Sequence, residues 1–321
     1  MESFSYRDEK WFHNNIEING YKSIIQNNKI IYQGELCNGK YEGFGILYNC
    51  MNKRKYYEGE FSNGHFYGKG KRYYENGKLK YVGEFKDSLL NGKGRSYNRR
   101  GNLVYIGNFI DGKYNGEGIL YNYNMKPIYE GEFTNNCRSG IGKFYKYINN
   151  VQYLYYIGSC HCGLFNGMGI LYHNNGNIFY SGDFKMGIFH GIGTKFNYIG
   201  VKMYEGEFDN GNYDGFGIKY AQGHKIYNGF FKNNNYNGYG VSYVNDNIEY
   251  EGIWVNNVKK TDIKRYKEIL IEYANKYEID ISTLLEENNI IEVSNIFFDN
   301  KESIQNSDYV LIQNLLMKLF S

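Results

Sequence analysis

From Tyr32 to Trp254 aromatic and polar positions alternate in short runs, and the alternation restarts about every 24 residues. One run reads Tyr57-Glu58-Gly59-Glu60-Phe61-Ser62-Asn63-Gly64-His65-Phe66-Tyr67-Gly68-Lys69-Gly70-Lys71-Arg72-Tyr73. Residues two apart share a face of a strand, so Tyr57, Gly59 and Phe61 point the same way. Asn63-Gly64 signals a turn, because glycine enters positive φ without strain. Gly68 to Tyr73 reads as the returning strand. The unit predicts a β-hairpin.

The opening tyrosines are Tyr32, Tyr57, Tyr81, Tyr105, Tyr129, Tyr156, Tyr180, Tyr204, Tyr227 and Tyr250. A fixed period of this length marks a repeat array. Glycine weakens an ordinary strand, yet here it recurs at the same three strand positions in every complete unit. It therefore reads as a spacing device that makes room for aromatic rings from adjoining hairpins. A further aromatic follows the last glycine by three residues in all nine complete units, from Tyr48 and Tyr73 to Tyr220 and Tyr243. The turn glycine gives way to Ser88, Asn136 and Asn234. Asparagine tolerates the left-handed region; Ser88 does not fit, and the loop Ser88-Leu89-Leu90 is expected to be altered. Three extra residues before Tyr156 predict a longer connection there.

A lone hairpin is not stable in water, so neighbours must stack to bury the aromatic face. The expected fold is an all-β repeat array, an elongated antiparallel β-meander of stacked hairpins. At roughly 4.8 Å per strand, eighteen strands would extend about 85 Å. Residues 1–31, with Trp11, Phe12, Ile16, Ile18 and Tyr21, read as a partly irregular N-terminal cap. The array is expected over residues 32–257, as nine full units and a partial tenth closed by Trp254. Beyond it the apolar period becomes helical: Ile263, Tyr266, Leu270, Tyr273 and Tyr277 fall at three- and four-residue steps. Residues 258–321, including a strong helical pattern from Tyr309 to Phe320, predict a small α-helical C-terminal bundle.

Units such as Tyr57-Glu58-Gly59-Glu60-Phe61 with Gly68-Lys69-Gly70, and Tyr204-Glu205-Gly206-Glu207-Phe208 with Gly215-Phe216-Gly217, resemble MORN repeats (membrane occupation and recognition nexus). The resemblance covers about residues 32 to 257. It implies an extended β surface used for scaffolding or docking, in proteins tied to membrane compartments, cilia, cortical cytoskeleton and cell division. Some members carry an appended kinase or methyltransferase domain. The residues after the array are too few for a kinase fold and show no methyltransferase motif.

Composition narrows the function. The 321 residues carry 40 glycines, 19% aromatics, one proline and a mean hydropathy of -0.63. A net charge of +3 is too small to point to nucleic acid. Cys37, Cys50, Cys137, Cys160 and Cys162 are odd in number and scattered, which argues against a disulfide framework and for a reducing, intracellular setting. No signal peptide or spanning segment is visible, so a cytoplasmic location, peripheral to a membrane or cortical cytoskeleton, is expected.

Candidate chemistry mostly dissolves into the repeat. Gly-x-Gly never occurs in the strand-turn-helix setting of a nucleotide fingerprint. Cys160-His161-Cys162 invites a zinc reading, but Cys160 stands at a repeat phenylalanine position and no second ligand pair is evident. Asp299 to Ser303 lacks the glycine and terminal acid of a calcium loop. No catalytic, cofactor or metal residue is assigned, and a non-enzymatic protein is expected.

Two sets of residues remain as candidate binding sites. Two positions after the turn residue, seven of nine units carry an aromatic: Tyr41, Phe66, Tyr114, Phe165, Phe189, Tyr213 and Tyr236, with Leu90 and Arg138 as exceptions. These rings either pack over glycines or line a groove that clamps a partner helix or extended peptide. The short basic clusters Lys53-Arg54-Lys55 and Arg99-Arg100 are either solvated loop charge or contacts to anionic lipid. The expected function is a scaffold for protein partners. Peripheral membrane binding and a regulatory subunit of an enzyme encoded elsewhere are the alternatives, and exposed end hairpins would permit a homodimer.

Overall fold

The computed structural model describes residues 4–7, 10–13, 16–26 and 28–260, together with Asn275. The described part is all-β, and the strands that pair are antiparallel and next to one another in sequence. Contacts divide the chain into two compact units, Met1–Gly176 and Asn177–Ser321.

In the first unit the meander begins before Tyr32. Strand Gly20–Gln26 pairs with Lys29–Cys37, with Tyr32 opposite Ile24. A three-stranded sheet of Phe4–Arg7, Lys10–His13 and Ile16–Glu17 precedes it. Trp11 and Ile18 are buried there. The Trp11 backbone N–H donates to the Gly39 carbonyl at 2.6 Å, and its indole N–H donates to the Tyr41 hydroxyl at 2.9 Å. The hairpins then run to strand Leu164–Tyr172.

The second unit runs from strand Ile178–Lys185 to a short strand, Val258–Lys260, paired with Asn247–Val255. Val258 to Lys260 therefore complete the tenth hairpin rather than starting the expected helical region. Trp254, 4% exposed, packs edge-on to Tyr227 and Tyr236 and donates its indole N–H to the Gly240 carbonyl. The helices expected beyond 260 lie outside the described residues, except that Asn275 is helical.

One hairpin explains the repeat. In strands Lys55–Ser62 and His65–Tyr73, Gly59 faces Gly70 and Phe61 faces Phe66, so the returning strand carries two extra residues as a bulge. The turn between them has positive φ at both central residues, Asn63 (52°) and Gly64 (88°), the geometry whose twist matches a hairpin. The Gly64 N–H donates to the Tyr41 carbonyl of the preceding hairpin at 2.9 Å. Equivalent bonds from Ser88 to Phe66, Gly112 to Leu90 and Asn136 to Tyr114 tie consecutive turns together.

This link corrects the reading of the turns. Ser88 (φ 65°) adopts the same turn as Asn136 (71°) and Asn234 (67°). Its Oγ accepts the Phe66 N–H at 3.1 Å, as Asn136 and Asn234 Oδ1 accept the Tyr114 and Tyr213 N–H at 2.8 Å. A polar side chain at this position gains a hydrogen bond that offsets the left-handed cost. The three extra residues before Tyr156 likewise do not loop out. They lengthen strands Cys137–Ile148 and Val151–His161, which close on Asn149-Asn150.

Candidate functional site

The two faces of each hairpin have different chemistry. On one, the repeat tyrosine lies flat over its own hairpin's glycines. A Cβ on Gly59 would stand 2.5 Å from Gly70 Cα and 2.7 Å from the Tyr57 hydroxyl, and one on Gly70 would stand 2.5 Å from Tyr57 Cζ. The glycine vacancies are thus filled from within the hairpin, not from adjoining hairpins. The reason is reach: Tyr57 is two residues from Gly59, and the Gly59–Gly70 pair forms one contiguous gap. Adjoining hairpins instead contribute edges, as Phe85 does against Tyr57 at 5.2 Å and 88°.

The hydroxyl of every repeat tyrosine except Tyr81 is satisfied the same way, by the carbonyl three residues on. Tyr57 donates to the Glu60 carbonyl at 2.9 Å, Tyr105 to Asn108 at 3.0 Å, Tyr156 to Ser159 at 2.7 Å and Tyr204 to Glu207 at 2.8 Å. Burial pushes the Tyr105 phenol up to about 12 and drives Tyr57 and Tyr204 further in the same direction.

The seven candidate groove residues all sit on this face. In the first unit Tyr41 stacks on Tyr32 at 4.0 Å, Phe66 on Tyr57 at 3.8 Å, Tyr114 on Tyr105 at 3.8 Å and Phe165 on Tyr156 at 3.7 Å. In the second, Phe189 stacks on Tyr180 at 4.0 Å, and Tyr213 and Tyr236 stack on Tyr204 and Tyr227 at 3.8 Å. Each gives one ring face to its own hairpin, and within each unit several turn an edge to the next hairpin's phenylalanine or tryptophan. Phe66 is buried and the other six are half-buried. They form a packed tile with one side partly open.

The two exceptions behave differently. Arg138 replaces the ring with another flat group, its guanidinium 5.8 Å from the Tyr129 ring and 5.1 Å from Phe144. Leu90 offers no plane, and Tyr81 is half-buried where eight other repeat tyrosines are 0% exposed. The edge of Phe109 takes up the space, 3.2 Å from where a Cβ on Gly94 would stand.

The opposite face was not legible as a site in the sequence. Glu60 reaches back to the bulge, where its Oε1 accepts the Lys69 N–H at 3.1 Å; Glu132 and Glu207 do the same for Ile141 and Phe216. The aromatic that follows the last glycine by three residues also lies here, the Tyr73 hydroxyl donating to Glu58 at 2.9 Å and Tyr145 to Glu130 at 3.0 Å. In the first unit a cross-strand row runs Ile106, Ile119, Glu130, Lys143, Ile157 and Ile170, each paired with the next. Beside it Ile141 and Met168, the centres of two Gly-x-Gly triplets, are 63% and 64% exposed. Ile119, Ile141 and Ile157 line a depression of about 400 Å³. The signal was available as apolar residues at the centre of Gly-x-Gly and at the position after the repeat tyrosine.

The basic residues lie at the edge that carries the turns between hairpins. Lys55 is paired with Glu58 at 3.2 Å, and Arg54 donates to the Glu75 carbonyl. Lys53, Arg99 and Arg100 are exposed. Cys160 is buried opposite Phe165, with its thiol 3.7 Å from the Tyr129 hydroxyl, whereas Cys162 occupies the turn. Among the described residues no group of three or more His, Cys, Asp or Glu side chains could hold a metal ion, and no helix is long and apolar enough to cross a membrane.

A sequence model of the MORN repeat matches residues 32–51, 57–78, 81–102, 105–124, 129–151, 156–178, 180–196, 204–225 and 227–247. Comparison with curated proteins gives no match.

Proposed function

This chain belongs to the MORN repeat family, and from that premise we propose that it is a non-catalytic scaffold that docks a protein partner on its β surface. The aromatic tile is occupied chiefly with its own packing, since every ring in it already stacks on a buried tyrosine. The opposite face of the first unit is the better docking surface. The observation that carries this is that Ile141 and Met168, on the strands either side of Val151–His161, are more than half exposed beside a row of four isoleucines interrupted by Glu130 and Lys143. Exposed apolar residues grouped on one face mark an interaction site, whereas scattered single ones do not. A partner segment with an apolar stripe fits it, with polar groups to meet Glu130 and Lys143.

The test is affinity capture from the native source with the wild-type chain and with Ile141→Asp and Met168→Glu. Both positions are exposed, so circular dichroism should be unchanged. Selective loss of the same captured proteins from both variants supports the reading. An unchanged set of partners sinks it. Salt-sensitive binding to anionic vesicles that survives both substitutions would favour a peripheral membrane role instead.

A further inference from the structure

The inter-hairpin edge of the first unit holds a second feature. A pocket of about 260 Å³ lies between the turns at Asn49–Lys55, Arg72–Lys80 and Arg99. Its cations are Arg72, Lys80 and Arg99 along with Lys55, against one carboxylate, Glu75. Lys55 is taken by Glu58, but none of the ion pairs among the described residues involves Arg72, Lys80 or Arg99.

The three are held in place by aromatic rings rather than by acids. The Arg72 guanidinium lies 5.1 Å above Tyr56 and donates to its hydroxyl at 2.6 Å, while Arg72 Nε is buried with no acceptor. Lys80 Nζ and Arg99 Cζ lie 5.5 and 5.6 Å from the Tyr74 ring. That ring is fixed by the Tyr74 hydroxyl, which donates to the Tyr97 carbonyl at 2.8 Å. Burial and the charges of Arg72 and Arg99 hold the Lys80 ammonium below the usual lysine range, as expected of cations that face one another unneutralised.

The cluster departs from the repeat. The residue before the repeat tyrosine is apolar in eight of the ten units (Ile31, Tyr56, Val104, Ile128, Tyr155, Phe179, Met203 and Ile226), but in the third it is Lys80. Where Asn49, Asn98, Asn122 and Asn197 cap their own turns through Oδ1, the equivalent residue is Tyr74. This is also the unit whose tyrosine has left its slot: Tyr81 now lies beside Lys80, ring centroid 5.1 Å from Nζ. Tyr74 and Lys80, on either side of one turn between hairpins, thus replace the usual residues at this edge, and Lys80 joins Arg72 and Arg99 as a cation with no acidic partner among the described ion pairs.

We propose that this pocket binds a phosphate monoester carried on a side chain of a partner protein. A phosphoryl group brings close to two negative charges and three strong acceptors, which match two guanidinium forks and an ammonium better than a single carboxylate does. The pocket is recessed and too small for a whole drug-sized ligand. A membrane surface would need a broad field of free basic side chains, and here Arg54 and Lys55 are already engaged. The anion site rests on its own geometry; the assignment of a protein as carrier rests on the docking function above.

The full chain is titrated with O-phosphoserine, serine and inorganic phosphate by calorimetry. Saturable binding of O-phosphoserine, none of serine, and weakening by about tenfold in each of Lys80→Met and Arg99→Gln are expected, the loss that follows removal of one charge-assisted contact. Both variants should keep the wild-type circular dichroism. Absence of O-phosphoserine binding, or binding undiminished in both variants, overturns the site while leaving the Ile141 and Met168 test untouched. Inorganic phosphate binding as tightly as O-phosphoserine overturns a carried phosphoryl group. So does binding to phosphatidylcholine–phosphatidylserine vesicles that both variants abolish when O-phosphoserine itself does not bind.

Discussion

The Tyr57 hydroxyl crosses the gap left by Gly59 and Gly70 and donates to the Glu60 carbonyl at 2.9 Å. One residue thereby fills the vacancy and satisfies a backbone acceptor three residues along its own strand. Tyr57→Phe keeps the ring but removes this hydrogen bond from a part-buried site. A loss of about 1–2 kcal/mol is expected in urea unfolding, with little change in the slope of the transition.

The glycines separate by cause. At Gly70 a methyl group would collide with the Tyr57 ring, whereas at Gly64 nothing lies within 4 Å and only φ, 88°, opposes a side chain. Gly64→Ala should cost about 1 kcal/mol. Gly70→Ala should cost more, about 3 kcal/mol, because the buried ring must move. Thermal melts of the two variants that showed equal losses would contradict the slot geometry.

Leu90 is the reason Tyr81 stands apart, since a leucine offers no plane to stack on. Leu90→Phe should draw Tyr81 back over Gly83 and Gly94 and add about 0.5–1.5 kcal/mol of stability. Nitration followed by peptide mass spectrometry reads the change directly: Tyr81 should react in the wild type and be protected in the variant.

Tyr213 and Tyr236 distinguish packing from docking on the aromatic tile. Each stacks at 3.8 Å on a tyrosine that is 0% exposed. Replacement of either by alanine should lower stability by about 2 kcal/mol while captured partners persist at temperatures where the variant is folded. A variant as stable as wild type that had lost its partners would restore the groove.

Alkaline pH should unfold the protein cooperatively. The Tyr105 phenol, pushed up to about 12 by burial and the neighbouring Tyr114, is neutral in the folded state, whereas an unfolded tyrosine ionises near about 10. Above that point the unfolded chain releases protons that the folded one retains, so stability is full below about pH 10 and falls as pH rises through about 12. Tyrosinate absorbance and loss of the β signal should therefore change together, and a gradual non-cooperative titration would count against buried, bonded phenols.

The hairpins, their turns and the pairing of the repeat were legible from residue spacing, because period-two alternation and Asn-Gly turns are local properties. The source of the rings over the glycines was not. Spacing along the chain shows that a gap exists, but only the register, Gly59 opposite Gly70, shows that Tyr57 on the same strand already spans it. Nor does the φ preference of Ser88 reveal that its Oγ is paid back by the Phe66 N–H one hairpin away.

The sequence alone determined a β repeat of the MORN kind and the identity of its buried aromatics, since these follow from short-range periodicity. Tertiary structure decided which side chains are packed and which remain exposed. The seven candidate rings turned out to be stacked on tyrosines of their own hairpins. Arg72, Lys80 and Arg99 lie up to 27 residues apart along the chain and became a single pocket. Exposure depends on what lies across the strand, above the ring and in the next turn, and those neighbours are set by register and bulge rather than by distance along the chain.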